Sequence, residues 1–285
     1  MSGPRPSARR ASRVGAAAPG SGAAARPDGP ANAQPFAHAG AARPCLVLLP
    51  GTLCDAALFR AQVRDLRGRA TVRCVDLHGL GAHAGQAGDW TDALLRELPP
   101  RFSLVGFSLG GLLALEILRR APERVERLAL VASNAEAATR RARRRGQAQQ
   151  LAWRQGGGLA VVRRLLPLYL PVPRRRARHA PVIQRMARET PTAAALAQFD
   201  WAARRPDGHA VLAAHPAPLL VVSGADDRLC PRALQQRVVA TRADAHWVEL
   251  RRCGHFIPLE QPRQLSRLLA QWLAAPARGE PGDPA

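Results

Sequence analysis

The chain has 285 residues, of which 47% are apolar, enough for one large domain with a real core and, at most, a small insertion. Its formal charge is +21, and all 42 basic residues are arginine. That usage reads as the coding bias of a GC-rich genome, and with no aromatic-interleaved basic stripe the charge gives no case for nucleic acid as a partner. No apolar run approaches the length of a membrane span. The five cysteines, Cys45, Cys54, Cys74, Cys230 and Cys253, have no C-x-x-C spacing, which argues against a disulfide framework and for a reducing, cytoplasmic setting.

Residues 1–43 are Ala, Gly, Pro and Arg with almost no large apolar side chain, so they are expected to be disordered. Arg9-Arg10 lacks the apolar stretch that a twin-arginine signal needs behind it, and the segment reads as an unstructured tail. A domain is expected over 44–275, and a second low-complexity tail over 276–285. Within the domain, strands are expected at 45–49, 71–75, 102–105, 128–131, 219–222 and 245–250. Helical patterns lie between them, at 57–66, 91–98 and 112–118. A final one at 264–273 puts Leu265, Leu268, Leu269 and Leu273 on one face. Strands alternating with helices specify an α/β fold with a mostly parallel, doubly wound sheet. The stretch from Val131 to Leu219 is too long for one connection. A helical cap insertion is expected over about 135–210, in segments broken by Pro167, Pro171, Pro173 and Pro181. Trp153, Leu165, Leu166, Leu168, Tyr169 and Phe199 are candidates for its underside. From Arg140 to Arg188 it holds 14 arginines and no acid. Either this is a solvated, composition-biased surface, or it attracts an anionic or carrier-linked substrate.

Three segments carry chemistry. Gly106-Phe107-Ser108-Leu109-Gly110-Gly111 joins an apolar strand to a helix, a sharp turn that holds a serine hydroxyl clear of the main chain. Gly224-Ala225-Asp226-Asp227-Arg228-Leu229-Cys230-Pro231 is an acidic loop after a strand. Cys253-Gly254-His255-Phe256-Ile257-Pro258 is a histidine loop after another. Serine, acid and histidine therefore follow one another in the chain, each beyond the carboxyl end of a strand, where an open α/β sheet places its ligands. From the residues alone Asp226 and Asp227 compete for the acid position. Cys230 and Cys253 read as small buried fillers.

Together with Leu48-Leu49-Pro50-Gly51-Thr52-Leu53-Cys54-Asp55, these segments resemble those of α/β-hydrolase-fold serine hydrolases, over about 44–273. The resemblance implies a Ser108–His255–Asp227 triad, choosing Asp227 by its spacing from Gly224 and Pro231. It implies an oxyanion hole of the Leu109 and Thr52 N–H groups, with Leu53 as the near alternative to Thr52. Pro50 stands where relatives carry a loop-steadying histidine. Phe107 is expected at the acyl pocket, or else as packing beside the turn. The implied activity is hydrolysis of a carboxylic ester through an acyl-enzyme, with thioester, lactone or carrier-linked substrates as variants. Carbon–carbon hydrolysis, perhydrolysis, a lyase step, or non-catalytic ligand binding on the same fold are the alternatives. No cofactor and no metal are expected: the dinucleotide fingerprint is absent, and His78 and His83 lack a ligand spacing with nearby carboxylates, although their loop could approach the pocket rim. The oligomeric state is left open.

Overall fold

The computed structural model describes residues 43–83 and 87–275; the expected tails at 1–43 and 276–285 lie outside these, apart from Arg43. Six strands form one sheet: β1 (Cys45–Leu49), β2 (Thr71–Cys74), β3 (Phe102–Phe107), β4 (Val125–Val131), β5 (Leu219–Gly224) and β6 (His246–Leu250). Their order is β2-β1-β3-β4-β5-β6, and every neighbouring pair is parallel. The alternation along each strand is what closes both faces. Leu46, Leu48, Val105, Ala129 and Val222 point into one apolar cluster. Val47, Leu49, Leu104, Leu130 and Val221 point into the other. A strand buried on both sides needs an unbroken apolar run, which is why β1, β3, β4 and β5 read so clearly in the sequence. The edge strands β2 and β6 are partly exposed and mixed in composition.

The helices between strands are α1 (Arg60–Leu66), preceded by a 3-10 turn at Ala56–Phe59, then α2 (Ala87–Glu97) and α3 (Leu109–Arg120). Four helices fill the connection from β4 to β5: α4 (Arg140–Tyr169), α5 (Pro173–Glu189), α6 (Thr192–Arg204) and α7 (His209–Ala214). After β5 come α8 (Arg232–Ala240), the short α9 (Ile257–Glu260) and α10 (Pro262–Ala274), which lays Leu265, Leu269 and Leu273 against the sheet.

Of the four expected breaks in the insertion, the chain breaks at Pro171 and Pro173, between α4 and α5, but not at Pro167 or Pro181. Helix α4 runs through Pro167 and α5 runs through Pro181. Both prolines sit on exposed faces, and so do Arg163 and Ala177 four residues earlier, whose carbonyls lose their partner to water at little cost. The kink in α4 falls instead at Gly156-Gly157, where Gly157 takes a φ of 58° that only glycine adopts freely.

The chain lays down β1, steps to β2 on one side, then crosses to β3 on the other. At this reversal the loops after β1 and β3 open a crevice at the carboxyl edge of the sheet, the place where such sheets hold ligands.

Candidate active site

Ser108 stands between β3 and α3 with φ 52° and ψ −114°, a left-handed conformation that costs a non-glycine residue about 1–3 kcal/mol. Its neighbours show what holds it there. A Cβ on Gly106 would come within 2.4 Å of the Gly111 Cα, and one on Gly110 within 2.1 Å of the Leu49 carbonyl oxygen. The turn is tight because these glycines let α3 press against the ends of β3 and β1. The Ser108 N–H donates to the Val131 carbonyl at 2.9 Å, and its carbonyl accepts from the Ser133 hydroxyl at 2.8 Å.

His255 Nε2 lies 2.9 Å from Ser108 Oγ, and its Nδ1 lies 2.8 Å from Asp227 Oδ2. An ionised carboxylate only accepts, so Nδ1 carries the ring proton and the Nε2 lone pair faces the serine hydroxyl. The other carboxylate oxygen, Oδ1, accepts from the N–H groups of Leu229 and Cys230 at 2.8 and 2.9 Å, which fixes the orientation of the acid. Asp227 and His255 are 4% and 1% exposed, so water does not compete for these bonds.

The neighbouring Asp226 turns the other way. Its Oδ2 pairs with Arg175 of α5 at 2.5 Å, and Arg175 also reaches Glu260 Oε2 at 3.1 Å. The Glu260 side chain is closed to water, which raises its pKa, and its Oε1 accepts the Gly254 N–H at 2.9 Å. Arg175 thus ties the insertion to the acid loop and to the histidine loop together.

Main-chain donors complete the site. Thr52 and Leu109 both line a cavity beside Ser108, and neither N–H has an acceptor among the described residues. The Leu53 N–H is taken, at 2.8 Å, by Gln198 Oε1 from α6. Leu53 itself has φ 57° inside a turn closed by the Cys54 N–H donating to the Gly51 carbonyl at 3.1 Å. A left-handed leucine is strained, and the Gln198 acceptor satisfies the peptide in that strained position. Gln198 is fully buried and its Nε2 has no partner among the described residues, an unpaired donor that costs about 1–3 kcal/mol. The amide oxygen is the acceptor that holds the Leu53 peptide in place. Nothing in the sequence announced it: Leu53 and Gln198 are 145 residues apart, and one glutamine in a helix has no spacing signature.

Phe107, expected at the acyl pocket, is not among the residues lining this cavity. It is 1% exposed and packs against His255 and Phe256 with ring centroids 5.2 and 5.4 Å away, the packing alternative. The reason is alternation along β3, which turns Phe107 into the apolar cluster shared with Val105. Tyr169, one of the residues expected on the underside of the insertion, ends α4. It stacks on His255 at 5.4 Å and 16°, and its carbonyl accepts the His255 N–H at 2.8 Å. Of the apolar residues expected under the insertion, Leu165, Tyr169 and Phe199 line the cavity. Trp153 packs edge-on to Phe199 at 6.1 Å, and Leu166 is buried in the core. His78 pairs with Asp76 at 3.2 Å, and neither it nor His83 reaches the cavity wall.

Asp227, Cys230 and His255 bring three ligand-type atoms within 4.8 Å of one another. Their donors are already committed: the carboxylate and imidazole bond each other, and burial raises the Cys230 pKa and keeps its thiol protonated. This chemistry suits a proton relay better than a metal seat. All five cysteines are free, and burial raises their thiol pKa values too, to about 12 for Cys74. No helix among the described residues is long and apolar enough to cross a membrane.

The sequence profile of the alpha/beta hydrolase family matches residues 46–268. The pimeloyl-[acyl-carrier protein] methyl ester esterase of Nitrosomonas europaea is 39% identical over 94 residues, spanning 32% of this chain and 37% of that protein. With that protein the similarity therefore spans just over a third of its length. The protein of the same name from Aromatoleum aromaticum is 29% identical over 249 residues, spanning 80% of this chain and 97% of that one. Among solved structures, a malate-bound thermophilic esterase from Thermogutta terrifontis superimposes with a TM-score of 0.70 at 20% identity, covering 81% of this chain and 90% of that one. At that identity the likeness is one of fold.

Proposed function

This chain belongs to the alpha/beta hydrolase family, and on that premise we propose that it is a serine esterase working through Ser108, His255 and Asp227. Ser108 Oγ attacks the acyl carbonyl while His255 Nε2 takes its proton. Asp227 holds the imidazole in the required tautomer and stabilises the imidazolium. The Thr52 and Leu109 N–H groups receive the oxyanion, the term that usually lowers the barrier most. His255 then passes the proton to the leaving alcohol, and a water activated by the same ring hydrolyses the acyl-enzyme. No cofactor enters any of these steps. The observation that carries this reading is the unbroken relay from Ser108 Oγ to Asp227 Oδ2, with links of 2.9 and 2.8 Å.

The substrate class we propose is an ester carried on an acidic carrier protein. The names of the relatives from Nitrosomonas and Aromatoleum favour it. So does the insertion, where Arg175 and Arg185 alone of the 14 arginines from Arg140 to Arg188 are ion-paired among the described residues. Unpaired cations on an exposed face steer an anionic partner and lose that effect in salt. The domain is read as 44–275 with the insertion serving as a cap, and a cytoplasmic setting is part of the same reading.

Turnover of short and medium p-nitrophenyl esters, abolished in Ser108→Ala, tests the esterase. The carrier is tested with methyl-esterified acyl chains on an acyl carrier protein: kcat/KM is expected to fall steeply between low and high salt, and Arg143→Glu with Arg144→Glu is expected to raise KM. A KM indifferent to both salt and charge reversal ends the carrier reading and leaves the esterase standing.

A further inference from the structure

The cavity beside Ser108 has a volume of about 390 Å³, within the range of a small-molecule site, and its wall has two characters. Leu112, Leu165, Tyr169 and Phe199 make one part apolar. Arg141, Arg145, Arg205, Arg228 and Arg237 also line the cavity, with a single carboxylate, Glu136.

That carboxylate is already committed. Glu136 Oε1 takes Arg237 Nε at 2.5 Å and lies 3.3 Å from His209 Nε2. Arg205 donates to two main-chain carbonyls, those of Glu136 at 2.9 Å and Ala202 at 2.7 Å, which orient its guanidinium without neutralising it. The side chains of Arg141, Arg145 and Arg228 form no ion pair or hydrogen bond among the described residues. Burial, and beyond it the Arg145 charge, lower the Arg205 pKa, so the two guanidiniums feel each other.

Local structure makes this worse. Five arginines, Arg140, Arg141, Arg143, Arg144 and Arg145, crowd the first turns of α4, which contain no acid. Cations are disfavoured at that end of a helix dipole, and their i,i+3 and i,i+4 spacings set like charges side by side. Arg145 therefore stands in a crowd of like charges, which a bound anion relieves.

We infer that the Arg145–Arg205 side of the cavity is a subsite for an anionic group on the ester substrate, a carboxylate or a phosphate joined to the scissile carbonyl by an apolar chain. The inference rests on the esterase reading and adds to it a specificity that the serine relay does not supply. Guanidinium forks match the oxygens of either group. The apolar walls hold the chain between that group and Ser108.

The experiment compares mono-p-nitrophenyl adipate with p-nitrophenyl hexanoate, acyl chains of equal carbon number with and without a terminal carboxylate. In the wild type the ratio of kcat/KM values is expected to favour the adipate about 10- to 100-fold, the worth of one charge-assisted contact. Arg145→Gln should bring the ratio close to one through KM, and Arg145→Lys should restore part of it. Arg145 makes no side-chain bond of its own, so this variant removes charge without removing a structural contact. In a second arm, inorganic phosphate, adipate and hexanoate are titrated calorimetrically into the wild-type protein. Adipate binding alone assigns the subsite to carboxylates, and phosphate binding that Arg145→Gln abolishes assigns it to phosphates. A ratio near one with no binding of either anion overturns the inference. So does a preference that Arg145→Gln leaves intact. Turnover of the neutral hexanoate reports on the esterase reading separately, and the titration needs no turnover at all.

Discussion

The loops after β3, β5 and β6 and the helices α4 and α6 meet beside the same serine, yet different forces hold them. The loops sit on a sheet buried on both faces, and Asp227 and His255 are themselves all but closed to water. Their geometry is fixed by glycine contacts, two main-chain bonds to the acid and a positive φ at Ser108. The insertion is rich in unpaired cations and reaches the site through a few bonds: Gln198 to the Leu53 N–H, Arg175 to Asp226 and Glu260, and the Tyr169 carbonyl to the His255 N–H. The insertion also packs Trp153, Leu165, Leu166, Tyr169 and Phe199 into the same apolar cluster as one face of the sheet, so polar bonds and burial hold it together. On the proposed reading, the loops supply the reacting groups, and the insertion governs access and steadies the loop after β1.

The division is open to test by substitution. On the sheet side, Ser108→Ala and Asp227→Asn should each lower kcat by about 10⁴-fold or more, measured on p-nitrophenyl butyrate. On the insertion side, Gln198→Leu should lower kcat by about 10- to 100-fold with KM little changed. That is less than the ~10²–10³ lost when an oxyanion donor is removed outright. Gln198→Glu, which keeps an acceptor oxygen in place, should retain more activity than Gln198→Leu. Equal losses in the two variants would show that Gln198 serves packing alone.

Away from the site, His215 provides a pH test of the core. It is 5% exposed, and burial together with the Arg242 guanidinium lowers its pKa to about 4. The unfolded chain binds this proton near pH 6.5 while the folded chain does not, so stability is present above that pH and is lost as pH falls toward 4. The loss amounts to about 3 kcal/mol for this group. A thermal melt at pH 7 and at pH 4.5 should show the drop, and His215→Asn should reduce it.

Smallest of all should be the effect of Asp226→Asn. Its partly exposed pair with Arg175 is worth about 0–1 kcal/mol, and kcat should stay within about twofold of wild type. A loss like that of Asp227→Asn would reverse the assignment of the acid.

The same contrast governed what could be read in advance. Buried parallel strands demand long apolar runs, so β1 is found at its observed bounds and the others within a few residues. The serine, acid and histidine loops follow those strands directly, and local spacing identifies Ser108 and His255 but leaves Asp226 and Asp227 as rivals. Asp227 was separated from Asp226 only by resemblance, because the residues offer two adjacent carboxylates and only the turn of the loop decides which one faces His255. In the insertion, local rules held only in part. Pro171 and Pro173 mark a real break, but Pro167 and Pro181 lie on exposed helix faces and break nothing, while the kink comes from a positive φ at Gly157 among the three glycines at 156–158. Gln198, Tyr169 and Arg175 act across 51 or more residues, and no spacing rule links them to their partners.

The most direct test of the account labels the protein with a fluorophosphonate at neutral pH and locates the adduct by peptide mass. A single adduct on the peptide containing Ser108, absent from Ser108→Ala and strongly slowed in Asp227→Asn, is the predicted result. An adduct on another residue, or none at all on the folded wild-type protein, would contradict it.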